Sequence, residues 1–119
     1  SLDSLLGQPW VGASWEGFVI EQILGTLAAA GQRVEPSYLR TSDGHEIDLV
    51  LTLAGRTWAI EIKLTTDPSP HDLARLNRAA DLIGADWRLL VSQVDPSAVG
   101  DGQASCNLRD LLALLRRSA

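Results

Sequence analysis

Two consecutive stretches of the chain, 46–53 and 57–64, alternate between apolar and polar residues with a period of two. That period predicts β-strands, because successive side chains of a strand point to opposite faces of a sheet. The tripeptide Ala54-Gly55-Arg56 between them predicts a tight turn and therefore a hairpin. A hairpin constrains the chain strongly, since a slip of one residue would move every apolar side chain to the wrong face.

The aliphatic faces of the two strands match in one register, which pairs Leu51 with Trp58, Leu49 with Ile60 and Ile47 with Ile62. The same register places Asp48 opposite Glu61 on the other face, with Lys63 diagonal to both. Packing alone therefore predicts that one Asp, one Glu and one Lys gather in a single cluster.

The rest of the pattern predicts one α/β unit of order αβββαβα, with a mixed central sheet flanked by helices. The further elements are a helix at 15–30, a strand at 33–40, a helix at 70–83, a strand at 87–92, a loop at 95–102 and a helix at 108–117. Ser14, Ser69 and Asn107 are predicted to cap the three helices. Asp72 completes a near capping box with Ser69, and Gly84 ends that helix.

Two carboxylates a few ångströms apart repel each other unless a cation lies between them. A hard divalent ion such as Mg²⁺ prefers oxygen ligands, and it can activate water and polarise a phosphate. A lysine beside it can neutralise charge that builds on the phosphate. The alternative is that Asp48 and Glu61 are solvated strand residues, with Lys63 as a cross-strand ion pair.

Composition limits the partners. The net charge is −5, and Lys63 is the only lysine among ten basic residues, which form no run. This balance argues against a simple nucleic-acid binder, since phosphate contacts need basic side chains. No apolar run approaches the roughly 20 residues that span a bilayer, and no signal peptide is recognisable, so no membrane association is expected. Cys106 is the single cysteine and is expected to be a buried thiol, as in a cytoplasmic protein.

The order of a helix with an early Glu, a strand, a strand with Asp, a strand with Glu-x-Lys, a helix and a strand resembles the core of PD-(D/E)XK nucleases. The resemblance covers about 15–92 and implies a restriction-endonuclease-like fold. It implies that Asp48, Glu61 and Glu16 hold Mg²⁺ or Mn²⁺, and that Lys63 is catalytic together with Asp48 and Glu61. Glu21 competes with Glu16 for the helix position, which Glu16 matches better.

A closer resemblance rests on the segments 12–22, 38–41, 44–50 and 58–63. They are similar to the C-terminal domain of unknown function that follows a P-loop AAA-type ATPase in bacterial and archaeal proteins. The P-loop pattern itself is absent from this sequence, so this piece is expected neither to bind nor to hydrolyse ATP. The chain also lacks Met, and we expect a single domain, 1–119, with a lead-in segment at 1–12, cut from the C-terminal part of an ATPase chain.

Several charged residues keep two interpretations. Glu46 either supports the site or is a solvated turn-end carboxylate. Arg40 either clamps a phosphate or pairs with Asp43 or Glu46. Arg75 and Arg78 either contact a nucleic-acid backbone or pair along their own helix, Arg75 with Asp72 and Arg78 with Asp81, and the pattern favours the pairing.

Two functions follow from these observations. The first is a metal-dependent nuclease or nuclease-like domain that hydrolyses phosphodiester bonds in nucleic acid. The second is a non-catalytic accessory module that binds nucleic acid or a protein partner for the attached ATPase. The four-residue constellation favours the first function, and the acidic balance favours the second.

Overall fold

The computed structural model describes residues 9–119, with side chains from Ser14 onward. Within this range the chain forms three helices and six strands. The helices are α1 (Pro9–Ala29), α2 (Pro70–Ile83) and α3 (Leu108–Ser118). The strands are β1 (Ser37–Arg40), β2 (Glu46–Leu53), β3 (Arg56–Ile62), β4 (Trp87–Val91), β5 (Ala98–Gly100) and β6 (Gln103–Cys106).

The six strands form one mixed sheet in the order β1-β2-β3-β4-β6-β5. The first three strands are antiparallel neighbours, whereas β4 runs parallel to both β3 and β6, and β5 returns antiparallel to β6. The parallel pair β3–β4 needs a crossover, and α2 supplies it. The predicted class, a mixed α/β sheet flanked by helices, is confirmed.

Helices cover both faces of the sheet and divide the core into two clusters. On the α1/α3 face, the helices contribute Val19, Ile23, Leu27, Leu111 and Leu115, and all five are fully buried. On the α2 face, the helix contributes Leu76, Ala79 and Ala80, which pack against Ile47, Ala59 and Leu90 of the strands. Cys106 is 1% exposed on the α1/α3 face, which confirms its prediction as a buried thiol.

The predicted hairpin register holds over most of its length. Leu51 lies opposite Trp58 and Leu49 lies opposite Ile60. The prediction that Ile47 shares their face and pairs with Ile62 is wrong, since Ile47 belongs to the α2-face cluster. The cause is an irregularity between β1 and β2: two residue steps on β1 match three on β2, from Ile47 to Val50. An extra residue of this kind is a β-bulge, and it reverses the faces of the side chains beyond it.

Other boundaries differ from the predictions. Helix α1 begins at Pro9, so Ser14 lies within it instead of capping it, and residues 9–12 are helical instead of a lead-in; residues 1–8 lie outside the described residues. Proline suits the first helical turn because it needs no hydrogen-bonded N–H there. Strand β1 begins only at Ser37, after Pro36, which has no N–H to give to a strand pair.

The predicted loop at 95–102 instead contains β5, and β6 follows it, so the observed order is αβββαβββα. These strands have three and four residues, which is too short to reveal a period of two. The two residues between them are Asp101 and Gly102, and Gly102 has a φ of 72°. Asp-Gly is a strong signal for a two-residue hairpin, so this dipeptide could have revealed the pair.

The predicted capping residues of α2 and α3 are confirmed. Ser69 accepts a hydrogen bond from the Asp72 N–H, and Asp72 accepts one from the Ser69 N–H, which completes the capping box. Gly84 ends α2 in the left-handed conformation, and Asn107 caps α3. No helix in the described part of the chain has the length and apolar character needed to cross a membrane.

Two glycines should respond in opposite directions to replacement by alanine. A Cβ at Gly84 or at Gly25 would have nothing within 4 Å, so backbone conformation alone decides the effect. Gly84 has a φ of 61°, and Gly84→Ala should lower the free energy of unfolding by about 1 kcal/mol. Gly25 lies inside α1, and Gly25→Ala should raise it by roughly 0.5–1 kcal/mol. Urea unfolding measures both, and equal shifts of the same sign would contradict the assigned conformations.

Candidate functional site

Asp48 and Glu61 meet where the hydrogen-bond ladder between β2 and β3 ends. The Asp48 N–H donates to Glu61 Oε1 at 3.1 Å, and the Ile62 N–H donates to Asp48 Oδ2 at 2.9 Å. Each carboxylate thus replaces a backbone carbonyl that a regular ladder would have offered. These bonds fix both side chains against the sheet, and the Asp48 side chain is only 10% exposed.

Arg40, at the end of β1, lies against the same carboxylate. Its Nη1 donates to the carbonyls of Leu39 at 2.8 Å and Ile47 at 3.2 Å, and its Nη2 donates to Asp48 Oδ1 at 3.4 Å. The alternative in which Arg40 pairs with Asp43 or Glu46 is therefore wrong, because its guanidinium lies against Asp48 instead. The Arg40 guanidinium also lies 5.5 Å from the centre of the exposed Tyr38 ring.

Glu16, on α1, reaches these carboxylates, whereas Glu21 is exposed. Burial raises the pKa of Glu16, and the negative charge of Asp48 raises it further. Glu16, Asp48 and Glu61 line the same pocket. Of the two helix candidates, the structure brings Glu16 to Asp48.

Glu61 is the most perturbed carboxyl group of this cluster. Burial is the main cause that raises its pKa from the ordinary 4.5 to about 9, followed by the hydrogen bond with Asp48 and the charge of Asp48. The raised pKa favours a proton on Glu61, which would partly relieve the repulsion among the three acids.

Lys63 follows β3 directly, and its ammonium group contacts α2. Its Nζ donates to Asp72 Oδ1 at 2.6 Å, and Arg75 Nη2 donates to the same oxygen at 3.2 Å. The hydrogen bond from Lys63 is the main cause that lowers the pKa of Asp72 to about 2, and the Ser69 N–H adds to it. The alternative of a cross-strand ion pair between Lys63 and the strand carboxylates is wrong, because the lysine extends past them to the first turn of α2.

The two pairings predicted for the helix arginines have different outcomes. The predicted pairing of Arg75 with Asp72 is confirmed. Asp81 pairs with Arg88 of β4 instead of Arg78. Arg88 also donates to the carbonyls of Asn77 and Ala85, which holds its guanidinium beside α2.

These side chains line one open pocket of about 220 Å³. Four acids line it, namely Glu16, Glu46, Asp48 and Glu61. Lys63 and Arg75 line it as well, both paired with Asp72, and Ile62 and Leu90 add apolar surface. The pocket therefore places an excess of carboxylates opposite two cations that share a single carboxylate.

Carboxylate oxygens are the ligands that Mg²⁺ and Mn²⁺ take from proteins. Among the described residues, however, no three Asp, Glu, His or Cys side chains converge as a ready-made metal site. Several carboxylate oxygens also have other partners. One oxygen of Asp48 and one of Glu61 face backbone amides, and Arg40 lies against the second Asp48 oxygen. The donor chemistry fits a hard cation, and Arg40 is the group that a cation would have to displace from Asp48.

Sequence reasoning missed one member of the site. The sequence predicts Asp72 as a capping residue and a partner for Arg75, but it does not predict the contact with Lys63. The signal was present, because a helix that starts eight residues after β3 ends must begin near that end of the sheet. A capping-box acid at its third position then lies within reach of the lysine.

The comparisons with known proteins agree with one another. The chain is 47% identical over 62 residues to an uncharacterised protein of Mycobacterium tuberculosis and equally to one of Mycobacterium bovis. The aligned part is 51% of this chain and 13% of each relative, so the chain matches only a small part of those proteins. No solved structure matches the chain. The family model described as "Domain of unknown function (DUF4143)" matches residues 11–108, and the chain belongs to that family.

Proposed function

We propose that this chain is a divalent-metal-dependent nuclease or nuclease-like domain that hydrolyses phosphodiester bonds in nucleic acid. Asp48, Glu61 and Glu16 are the proposed ligands of Mg²⁺ or Mn²⁺. One observation carries the proposal: carboxylates from α1, β2 and β3 lie so close that Asp48 raises the pKa of both other acids. Such a group of acids is stable only with protons or a cation among them, and a divalent cation neutralises two charges at once.

The pocket supports the chemistry that this function needs. A divalent cation bound to these oxygens supplies an activated water and stabilises charge on the phosphate. Lys63 is 46% exposed at the pocket, so its ammonium group can donate to a phosphate oxygen while it stays hydrogen-bonded to Asp72. Glu61 would hold the cation as a carboxylate, so its proton would be released to solvent on binding.

The proposal includes a place in a longer protein. The resemblance to C-terminal domains of AAA-type ATPases implies a covalently linked ATPase module as the partner of this domain. The mycobacterial relatives support a longer architecture, since the aligned 62 residues are 13% of their length. The attached ATPase module and a cytoplasmic location are both proposals.

A second function, an accessory module without catalysis, is favoured by different observations. The chain carries a net charge of −5. Arg40 and Lys63, the cations beside the carboxylates, are both engaged in internal ion pairs. In that case the carboxylate cluster stabilises the end of the hairpin, and a protein partner of the ATPase is the ligand.

Cleavage assays separate the two functions. We expect the domain to cut at least one member of a panel of single-stranded, double-stranded and branched DNA and of RNA, in Mg²⁺ or Mn²⁺ only. Lys63→Ala should lower the rate about 100-fold or more, because it removes the cation that faces the phosphate. Gel analysis of end-labelled substrates measures this loss. Arg56→Gln is the matched control, because Arg56 is an exposed cation at the other end of the same strand.

Equal cleavage by the wild type and Lys63→Ala would contradict the catalytic role of the lysine. Metal binding without cleavage of any panel member would favour the accessory module.

Metal affinity should depend on pH through Glu61. Its pKa is raised in the folded protein from 4.5 to about 9, so between these values the bound proton must leave before the cation can bind. We therefore expect Mn²⁺ affinity to rise about tenfold per pH unit from pH 6 to pH 8. Calorimetric titrations in buffers of different ionisation enthalpy should detect about one proton released per metal ion. A pH-independent affinity would contradict the protonated state of Glu61.

The same raised pKa makes the stability of the metal-free protein depend on pH. Folding takes up a proton on Glu61 above pH 4.5, so the free energy of unfolding should fall as pH rises and level off above about 9. Glu61→Gln carries no titrating group, and it should flatten this slope in urea unfolding with chelator present.

A further inference from the structure

We propose that Asp72 is a positioning residue that holds Lys63 and Arg75 together as a two-cation clamp for a phosphate group. The inference rests on the proposed function and names a part of its substrate site, opposite the carboxylates. Neither the capping role of Asp72 nor its helical pairing with Arg75 requires the contact with Lys63, which comes from another element.

Asp72 is held rigidly. It is 7% exposed, and one of its oxygens accepts the Ser69 N–H at 2.9 Å. The other oxygen accepts Lys63 Nζ at 2.6 Å and Arg75 Nη2 at 3.2 Å. A carboxylate fixed at one oxygen by the capping box cannot swing away, so it fixes the two cations that share its second oxygen.

The charges of this group do not cancel. Lys63 and Arg75 bring two positive charges to one carboxylate, which leaves a net charge of +1 on three side chains. Both cations are partly exposed, 46% and 58%, and both line the pocket. An ammonium has three donors and a guanidinium has five, so most donors of the pair remain available to a ligand.

A tetrahedral anion suits this pair of cations. A phosphate offers several oxygens, and the Arg75 guanidinium can bind two of them while Lys63 contributes a point charge. The acidic side of the pocket would repel such an anion by itself, so the clamp provides the attraction on the facing side. Arg78 lies on the same helix but outside the pocket, which makes it a matched control.

Lys63 makes the test direct, because it is the only lysine of the chain. Labelling with ¹³C,¹⁵N-lysine gives one side-chain ammonium signal in NMR spectra. We would titrate inorganic phosphate with Mg²⁺ present and follow that signal in the wild type, Asp72→Asn, Arg75→Gln, Arg78→Gln and Ser69→Ala. Mn²⁺ binding, measured separately on the same proteins, reports on the metal centre independently.

The wild-type signal should shift saturably with phosphate. Asp72→Asn keeps an oxygen for the Ser69 N–H but loses the charge that holds the cations, and its dissociation constant for phosphate should rise about tenfold. Arg75→Gln should raise it about fivefold, and Arg78→Gln should leave it unchanged. Ser69→Ala should lower the unfolding midpoint without changing phosphate affinity, which separates helix capping from positioning.

If net charge alone determined phosphate affinity, Asp72→Asn would have the opposite effect. Removal of a negative charge would then tighten phosphate binding, and such tightening, or an unchanged affinity, would overturn the clamp. Equal effects of Arg75→Gln and Arg78→Gln, or no saturable shift in the wild type, would also overturn it. If these variants behave as expected while the wild type binds no Mn²⁺, the clamp stands and the metal centre of the proposed function fails.

Discussion

The site depends on two hydrogen bonds that replace the backbone ladder where β2 separates from β3. The Asp48 and Ile62 amides donate to the carboxylates of Glu61 and Asp48 instead of to carbonyl oxygens. Buried backbone amides need partners, so these bonds stabilise the end of the hairpin as well as fixing the acids. They also hold the carboxylates close enough to repel, and burial prevents water from screening that repulsion. Fold and site therefore share the same two contacts.

A second charge arrangement opposes the first across the pocket. Asp72, supplied by the capping box of α2, collects Lys63 and Arg75 on the side away from the acids. The acids come from α1, β2 and β3, whereas the cations follow β3 or lie on α2, the helix that comes next along the chain. A ligand that combines a positive charge with hydrogen-bond-accepting oxygens would bind to both the carboxylates and the two cations. A phosphate accompanied by a divalent cation meets this description, which is why we favour phosphodiester chemistry over partner binding alone.

Alternation and capping made most of the fold predictable. The strands β2 and β3 have clear periods of two, and Leu49, Leu51 and Trp58 lie where packing demanded. The bulge at Asp48 was not predictable, because an extra residue in one strand leaves no mark in an apolar pattern, and Ile47 was therefore assigned to the wrong face. The predicted meeting of Asp48 and Glu61 still occurs, because both follow the last regular pair of the hairpin, Leu49 with Ile60. The contact between Lys63 and Asp72 depends on where α2 lies in space, and residue spacing along a strand cannot predict that position.

The most direct test of the account is the position of Mn²⁺ in crystals of the domain, found by its anomalous scattering. We expect one peak in the pocket, within about 2.5 Å of carboxylate oxygens of both Asp48 and Glu61, with Arg40 moved off Asp48. The peak should be absent from crystals of Asp48→Asn grown under the same conditions. An empty pocket in the wild type at saturating Mn²⁺, or a peak only at other surface carboxylates, would contradict a metal centre built by these two strands.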